Sequence, residues 1–132
     1  MAYVHTVAAL AVLQYLLFAF MVARARGHYG IRAPAVTGNE QFERVYRVQM
    51  NTLEQLVAFL PVLLLAGVYW PGTWVAVLGL VWIAGRFLYR RLYLSNPAKR
   101  GPGFLLTILP TAILLLMTLW GAMRSAMQVV PT

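Results

Sequence analysis

Four long apolar tracts, at roughly residues 2–23, 44–70, 73–93 and 103–123, constrain this chain more than any other feature. Each is close to the roughly 20 residues needed to cross a hydrocarbon core of about 30 Å. In lipid every backbone N–H and C=O must be satisfied within the protein, so such tracts must be helices or the strands of a closed barrel. The alternation of apolar and polar residues that marks barrel strands is absent, which leaves helices. The composition agrees: 61% of the 132 residues are hydrophobic and only 11% charged, more apolar surface than a soluble domain of this size can bury. The expected fold is therefore an all-α, integral membrane four-helix bundle with up-down topology.

The first tract is not read as a signal peptide. It has no basic n-region, and Arg24 and Arg26 follow the apolar run instead of preceding it, as at the exit of a membrane span. The chain has no cysteine, which excludes disulfides and thiolate metal ligands, so any sulfur nucleophile must come from a substrate. His5 and His28 have no partner at ligand spacing and are read as ordinary terminal or interfacial residues, with no metal site expected.

A formal charge of +8 raises the possibility of nucleic acid, but its distribution argues against that partner. Arg24, Arg26, Arg32, Arg44 and Arg47 lie at or beside the first connection, and Arg86, Arg90, Arg91, Lys99 and Arg100 at the third. The second connection, "YWPGTW", carries no charge, and the C-terminal tail carries only Arg124. The positive-inside rule then puts connections one and three in the cytoplasm and both termini on the opposite side. The compact chain, with no retention signal, is expected in a bacterial inner membrane.

The chain reads as a single domain, 1–132, with helices at about 2–25, 42–70, 73–94 and 103–124. Pro34 and Gly38 break the first loop, "SNPAKRGPG" makes a short third loop, and Pro61 and Pro110 fall inside helices, where proline kinks the axis.

Two polar stripes interrupt this apolar plan. Arg44, Arg47, Asn51 and Glu54 are spaced i, i+3, i+7 and i+10, which is one helical face, with Gln49 off that line. Glu54 lies roughly 15 Å into its helix at about 1.5 Å per residue, where an unpaired carboxylate is costly. Arg86, Tyr89, Arg90 and Tyr93 form a second stripe at i, i+3, i+4 and i+7, entering from the same end of the bundle. One explanation is a salt-bridge network, Glu54 with Arg47 or Arg86, that fixes helix register. The excess of arginine over acid favours another: a cationic pocket for an anion. Arginine takes carboxylates in bidentate geometry, and one glutamate among arginines accepts an ammonium. A small zwitterion with more than one carboxylate satisfies both, and glutathione fits.

"FERVYRVQMNTLEQLVAFLP" (42–61) with "GRFLYRRLYLSNPAKR" (85–100) resembles the MAPEG family, the membrane-associated proteins of eicosanoid and glutathione metabolism. The similarity is greatest to the branch with type-two microsomal glutathione transferases and the cysteinyl-leukotriene-forming synthase. It covers about residues 20–100; the first and last helices match mainly in hydropathy. The resemblance implies a homotrimer of four-helix protomers with glutathione, as co-substrate, held between adjacent subunits. Carried over by position, Arg26, Arg47, Gln49, Asn51, Glu54, Arg86, Tyr89 and Tyr93 match glutathione-contacting positions. Arg47 looks like a carboxylate ligand and Glu54 the amine partner; Tyr89 and Tyr93 would bond the peptide or thiol region. Arg100 aligns with the arginine that stabilises the thiolate. Where the family often has a tyrosine after the glutamate, this chain has Gln55.

The expected activity is conjugation of glutathione to hydrophobic electrophiles dissolved in membrane lipid, a detoxifying transfer, with reduction of lipid hydroperoxides as a second use of the same thiolate. Two rivals stand beside it: a non-catalytic lipid-binding scaffold of the same fold, and a small transporter or structural bundle whose stripes serve only ion pairing.

Overall fold

The computed structural model describes residues 1–129 as four long helices. These are α1 (Ala2–Tyr29), α2 (Glu40–Tyr69), α3 (Gly72–Ser95) and α4 (Gly101–Val129), with a single 3₁₀ turn at Pro97–Lys99 before α4. All four are long and apolar enough to cross a membrane. Around the bundle the neighbours run α1–α2–α4–α3, and α2 also meets α3 across the diagonal.

Local sequence sets the ends. Gly30 closes α1 in the left-handed conformation (φ 68°), and the Gly30 and Ile31 amides both donate to the Arg26 carbonyl. Asn39 caps α2, its Oδ1 accepting from the Phe42 amide at 3.0 Å, with Glu40 and Glu43 in the first turn where the helix dipole favours acids. Asn96 caps the 3₁₀ turn through the Ala98 amide at 3.1 Å. The helices overrun the apolar tracts: α1 continues four residues past 25, and α4 begins at Gly101 and reaches Val129. The apolar boundary marks the edge of the lipid; the hydrogen-bond ladder continues into the polar region, and Pro102 is compatible with a first helical turn.

The core is an apolar column of Val4, Val7, Ala11, Phe59, Leu63, Trp82 and neighbours, in which the Phe59 and Trp82 rings stack with centroids 4.2 Å apart. The exterior is equally apolar, with Val57, Trp74, Leu116 and Trp120 all exposed. Water would not tolerate such a surface, and lipid does. Side chains tie helices to one another's carbonyls: Gln14 Nε2 donates to Ile83 O at 2.9 Å, Trp70 Nε1 to Met117 O at 2.8 Å and Thr118 Oγ1 to Val62 O at 3.2 Å. Glycines set the closest approaches. A Cβ on Gly103 of α4 would lie 2.4 Å from the Tyr89 backbone of α3.

Both arginine-rich connections are at one end. There Arg44 of α2 donates to the Leu94 carbonyl at 3.1 Å and the Ser95 carbonyl at 3.3 Å, closing the last turn of α3 against the first turns of α2.

Candidate functional site

A cavity of about 420 Å³ opens at this polar end, between α2, α3 and the start of α4. Arg47 and Asn51 line it from α2, Tyr89 and Tyr93 from α3, Arg100 from the turn before α4, and Phe104 from α4. The helical spacings explain the convergence: residues 47 and 51, and residues 89 and 93, are one turn apart on the faces that meet. Tyr89 and Tyr93 stack at 5.6 Å.

Glu54 joins the cavity through an ion pair. Arg47 Nη1 is 3.1 Å from Glu54 Oε1 and Nη2 is 3.4 Å from Oε2, a two-pronged contact that leaves the side chains 49% and 51% exposed. Asn51 Nδ2 donates to the same carboxylate at 3.4 Å. The pairing of Glu54 with Arg47 weighed from the sequence is thus present in the structure.

Arg86 sits beneath this layer and is completely buried. Its Nη2 donates to Asn51 Oδ1 at 2.9 Å and to Thr52 Oγ1 at 2.8 Å, and its Nη1 lies 3.5 Å from Thr107 Oγ1. The guanidinium also lies 4.2 Å from the Tyr89 ring centre. Among the described residues the two ion pairs are Glu40–Arg44 and Arg47–Glu54, so the Arg86 charge is held by neutral acceptors and a ring face, with no carboxylate. The Thr107 hydroxyl donates to Gly103 O at 3.0 Å and the Thr52 hydroxyl to Val48 O at 2.7 Å, which aims their lone pairs at the guanidinium.

Arg100 is exposed at the cavity rim, with Nη1 donating to Pro97 O at 2.9 Å. Arg26 and Gln49 are not part of the cavity lining. Arg26 Nη1 donates to Ala35 O at 2.6 Å and its guanidinium lies over the Phe42 ring at 5.0 Å, so it braces the first loop. Gln49, two residues from both Arg47 and Asn51, points from a different side of α2 and is half-buried. Gln55 is half-buried beside Glu54.

Sequence reasoning missed Thr52, Thr107 and Phe104. Thr107 carried a faint signal, since Gly103, Thr107 and Thr111 repeat at one-turn spacing, the mark of a closely packed face, whereas Thr52 stands outside any such repeat. Phe104 carried none. Among the described residues no group of three or more His, Cys, Asp or Glu side chains could hold a metal ion.

Comparison with known proteins matches this architecture to one family. The family model described as the MAPEG family matches residues 4–120. An uncharacterized protein of Synechocystis is 50% identical over 118 residues, covering 86% of each chain. Human microsomal glutathione S-transferase 2 is 43% identical over 109 residues, 83% of this chain and 72% of the relative. Guinea-pig (Cavia porcellus) leukotriene C4 synthase is 41% identical over 88 residues, 67% of this chain and 59% of the relative. With four helices fit to cross a bilayer and a family match spanning nearly all of them, the chain is an integral membrane protein that belongs to the MAPEG family.

Proposed function

We propose that this protein is a glutathione S-transferase that activates glutathione as its thiolate and conjugates it to hydrophobic electrophiles. The observation that carries this reading is the cavity lined by Arg47 and Arg100, with Asn51, Tyr89 and Tyr93 as neutral hydrogen-bonding groups and with one carboxylate, Glu54, paired to Arg47 at its side. The names of the human and guinea-pig relatives point to the same chemistry.

The Arg47–Glu54 pair suits an amino-acid ligand. A glutamyl α-carboxylate and α-ammonium form a complementary pair, so binding exchanges one ion pair for two: Arg47 with the carboxylate and Glu54 with the ammonium. Half-exposed pairs are worth only about 0–1 kcal/mol, so opening this one costs little. Tyr89 and Tyr93 take the peptide or thiol region. Arg86 has an indirect part, holding Asn51 and Tyr89 from below.

A free thiol with pKa about 8.5 is mostly protonated at neutral pH, and the thiolate is the nucleophile. Arg100 supplies a positive charge beside the sulfur; a guanidinium is a fixed charge and not a general base, so the thiol proton leaves to water. The sulfur lone pair forms the new S–C bond, and the displaced electron pair departs with the leaving group or stays on the opened electrophile's oxygen, which then takes a proton. The same thiolate attacks the terminal oxygen of a lipid hydroperoxide: O–O breaks, and the alkoxide leaves and takes a proton to give the alcohol. The sulfur becomes a sulfenic acid, and a second glutathione thiol displaces its oxygen as water to form the disulfide.

Arg26 and Gln49, absent from the cavity of their own protomer, fit a site completed by a neighbouring copy in a homotrimer. The arginine-rich end faces the cytoplasm in this reading, with both termini across a bacterial inner membrane. The test is Arg100→Ala: glutathione binding persists while conjugation is lost. Absence of any thermal protection of the wild type by millimolar glutathione overturns the whole reading and returns the stripes to ion pairing alone.

A further inference from the structure

A second cationic site lies away from the cavity just described. At the polar end of the bundle, Arg24 and His28 of α1 and Arg90 of α3 line a groove of about 310 Å³ whose other walls include Met21 and Val45. It shares no lining residue with the Arg47–Arg100 cavity. Arg24 and Arg26 are two residues apart on α1 and therefore point in different directions.

Among the described residues no acidic side chain lines the groove. The sequence has three acidic side chains. Glu40 is paired with Arg44 and Glu54 with Arg47, and Glu43 lines a different groove, beside Tyr93 and Pro97. Arg90 is half-buried, 5.8 Å from the Phe18 ring centre, and Phe18 in turn meets Phe87 edge-on at 5.8 Å. Unlike Arg86, Arg90 has no hydrogen-bond acceptor among the described residues, so its guanidinium, held beside the Phe18 ring at a membrane boundary, is open to an anion from outside the chain.

Apolar tracks lead to it. On α1, Leu10, Leu13, Leu17 and Phe20 are exposed at alternating three- and four-residue steps, and the next step is Arg24. On α3, exposed Leu80 and Phe87 lead to Arg90 in the same way. Two apolar tracks ending in two arginines and a histidine match the plan of a phospholipid: acyl chains along the helices and an anionic headgroup at their end. A soluble phosphate would use the cations but not the tracks.

We infer that Arg24, His28 and Arg90 form a binding site for the headgroup of an anionic phospholipid in the leaflet next to the arginine-rich connections. Basic pockets between membrane helices on that side bind such headgroups, each arginine contributing about fivefold in affinity. The site is independent of the proposed transferase reaction.

The experiment places the full chain in nanodiscs of phosphatidylglycerol and phosphatidylcholine in equal parts and counts retained lipids by native mass spectrometry. Phosphatidylglycerol is expected to be enriched on the wild type. Arg24→Gln with Arg90→Gln should lower that enrichment about fivefold per arginine, while Arg91→Gln, exposed and outside the groove, should leave it intact. Equal retention of the two lipids by the wild type overturns the proposal whether or not the variants fold. So does an equal loss with Arg91→Gln, which would signify a diffuse surface charge. Thermal protection by inorganic phosphate without lipid enrichment would assign the groove to a soluble anion and overturn the lipid.

Discussion

Arg86 of α3 donates to Asn51 Oδ1 of α2 at 2.9 Å, and this bond decides which way the Asn51 amide faces. With its oxygen turned inward to the guanidinium, Asn51 presents its NH₂ to Glu54 at 3.4 Å. A buried residue that touches no solvent thereby orients a group in the cavity.

Replacing Arg86 by Leu removes this control while filling the space with an apolar side chain. The exchange ends the cost of burying the charge but leaves the Asn51, Thr52 and Thr107 oxygens without their donor, so the chain is expected to fold with stability lowered by about 1–3 kcal/mol. Glutathione affinity should fall by about tenfold, the scale of one lost hydrogen bond to a charged group. Calorimetric titration beside a thermal melt separates the two effects; an unchanged Kd would remove the positioning role.

Glu54→Gln and Arg47→Ala test the exchangeable ion pair. Thermal stability should change by no more than about 1 kcal/mol, because the pair is half-exposed. Glutathione binding should weaken by about 1.5–3 kcal/mol in each variant, since each loses a charged contact to the ligand. A cooperative loss of fold with intact binding in the survivors would mark the pair as structural.

Arg100→Ala should raise the apparent pKa of bound glutathione toward the free value of about 8.5. The sign follows from the charge: a cation favours the thiolate, so its removal favours the thiol. A two-unit difference is worth about 2.7 kcal/mol. The activity lost near neutrality should therefore return as pH rises past the free thiol value. Thiolate absorbance against pH is the direct readout, and a profile that does not move would acquit Arg100.

If a neighbouring copy supplies Arg26 to the site, Arg26→Ala and Arg100→Ala chains should each be inactive alone and regain activity when co-expressed. Mixed assemblies would contain interfaces with both arginines intact. No recovery in demonstrably mixed oligomers would confine the site to one protomer.

Gly103→Ala should destabilise by about 1–3 kcal/mol, because the new methyl meets the Tyr89 backbone and neither helix can yield cheaply. Gly101→Ala, with nothing within 4 Å of its added carbon, should be neutral or slightly stabilising. Thermal midpoints of the two variants give the comparison.

The four helices and the convergence of the stripes were legible because lipid allows only helices or a closed barrel, the absence of alternation leaves helices, and one-turn spacing survives any packing. Arg47, Asn51, Tyr89 and Tyr93 meet as that spacing implies, and Arg100, singled out by the family resemblance, joins them from the loop. The depth of Arg86 was not legible, since a stripe names a face and not how far the neighbouring helix covers it. Gly103, by letting α4 close on Tyr89, and Gly85, by admitting Leu106, together bring Thr107 to the guanidinium. The off-cavity placement of Arg26 and Gln49 depends likewise on where a helix rotates against its neighbours.

Phe104 adjoins Arg100 on the cavity wall and is itself open to the exterior. A water-borne peptide and an oil-borne electrophile have no common solvent, and this wall is where brine and hydrocarbon come within one side chain of each other. Under the proposed transferase reading the protein would act as a phase-transfer catalyst. Its saturation by the apolar reactant should follow mole fraction in the bilayer, so diluting that reactant with inert lipid at constant bulk concentration will slow turnover.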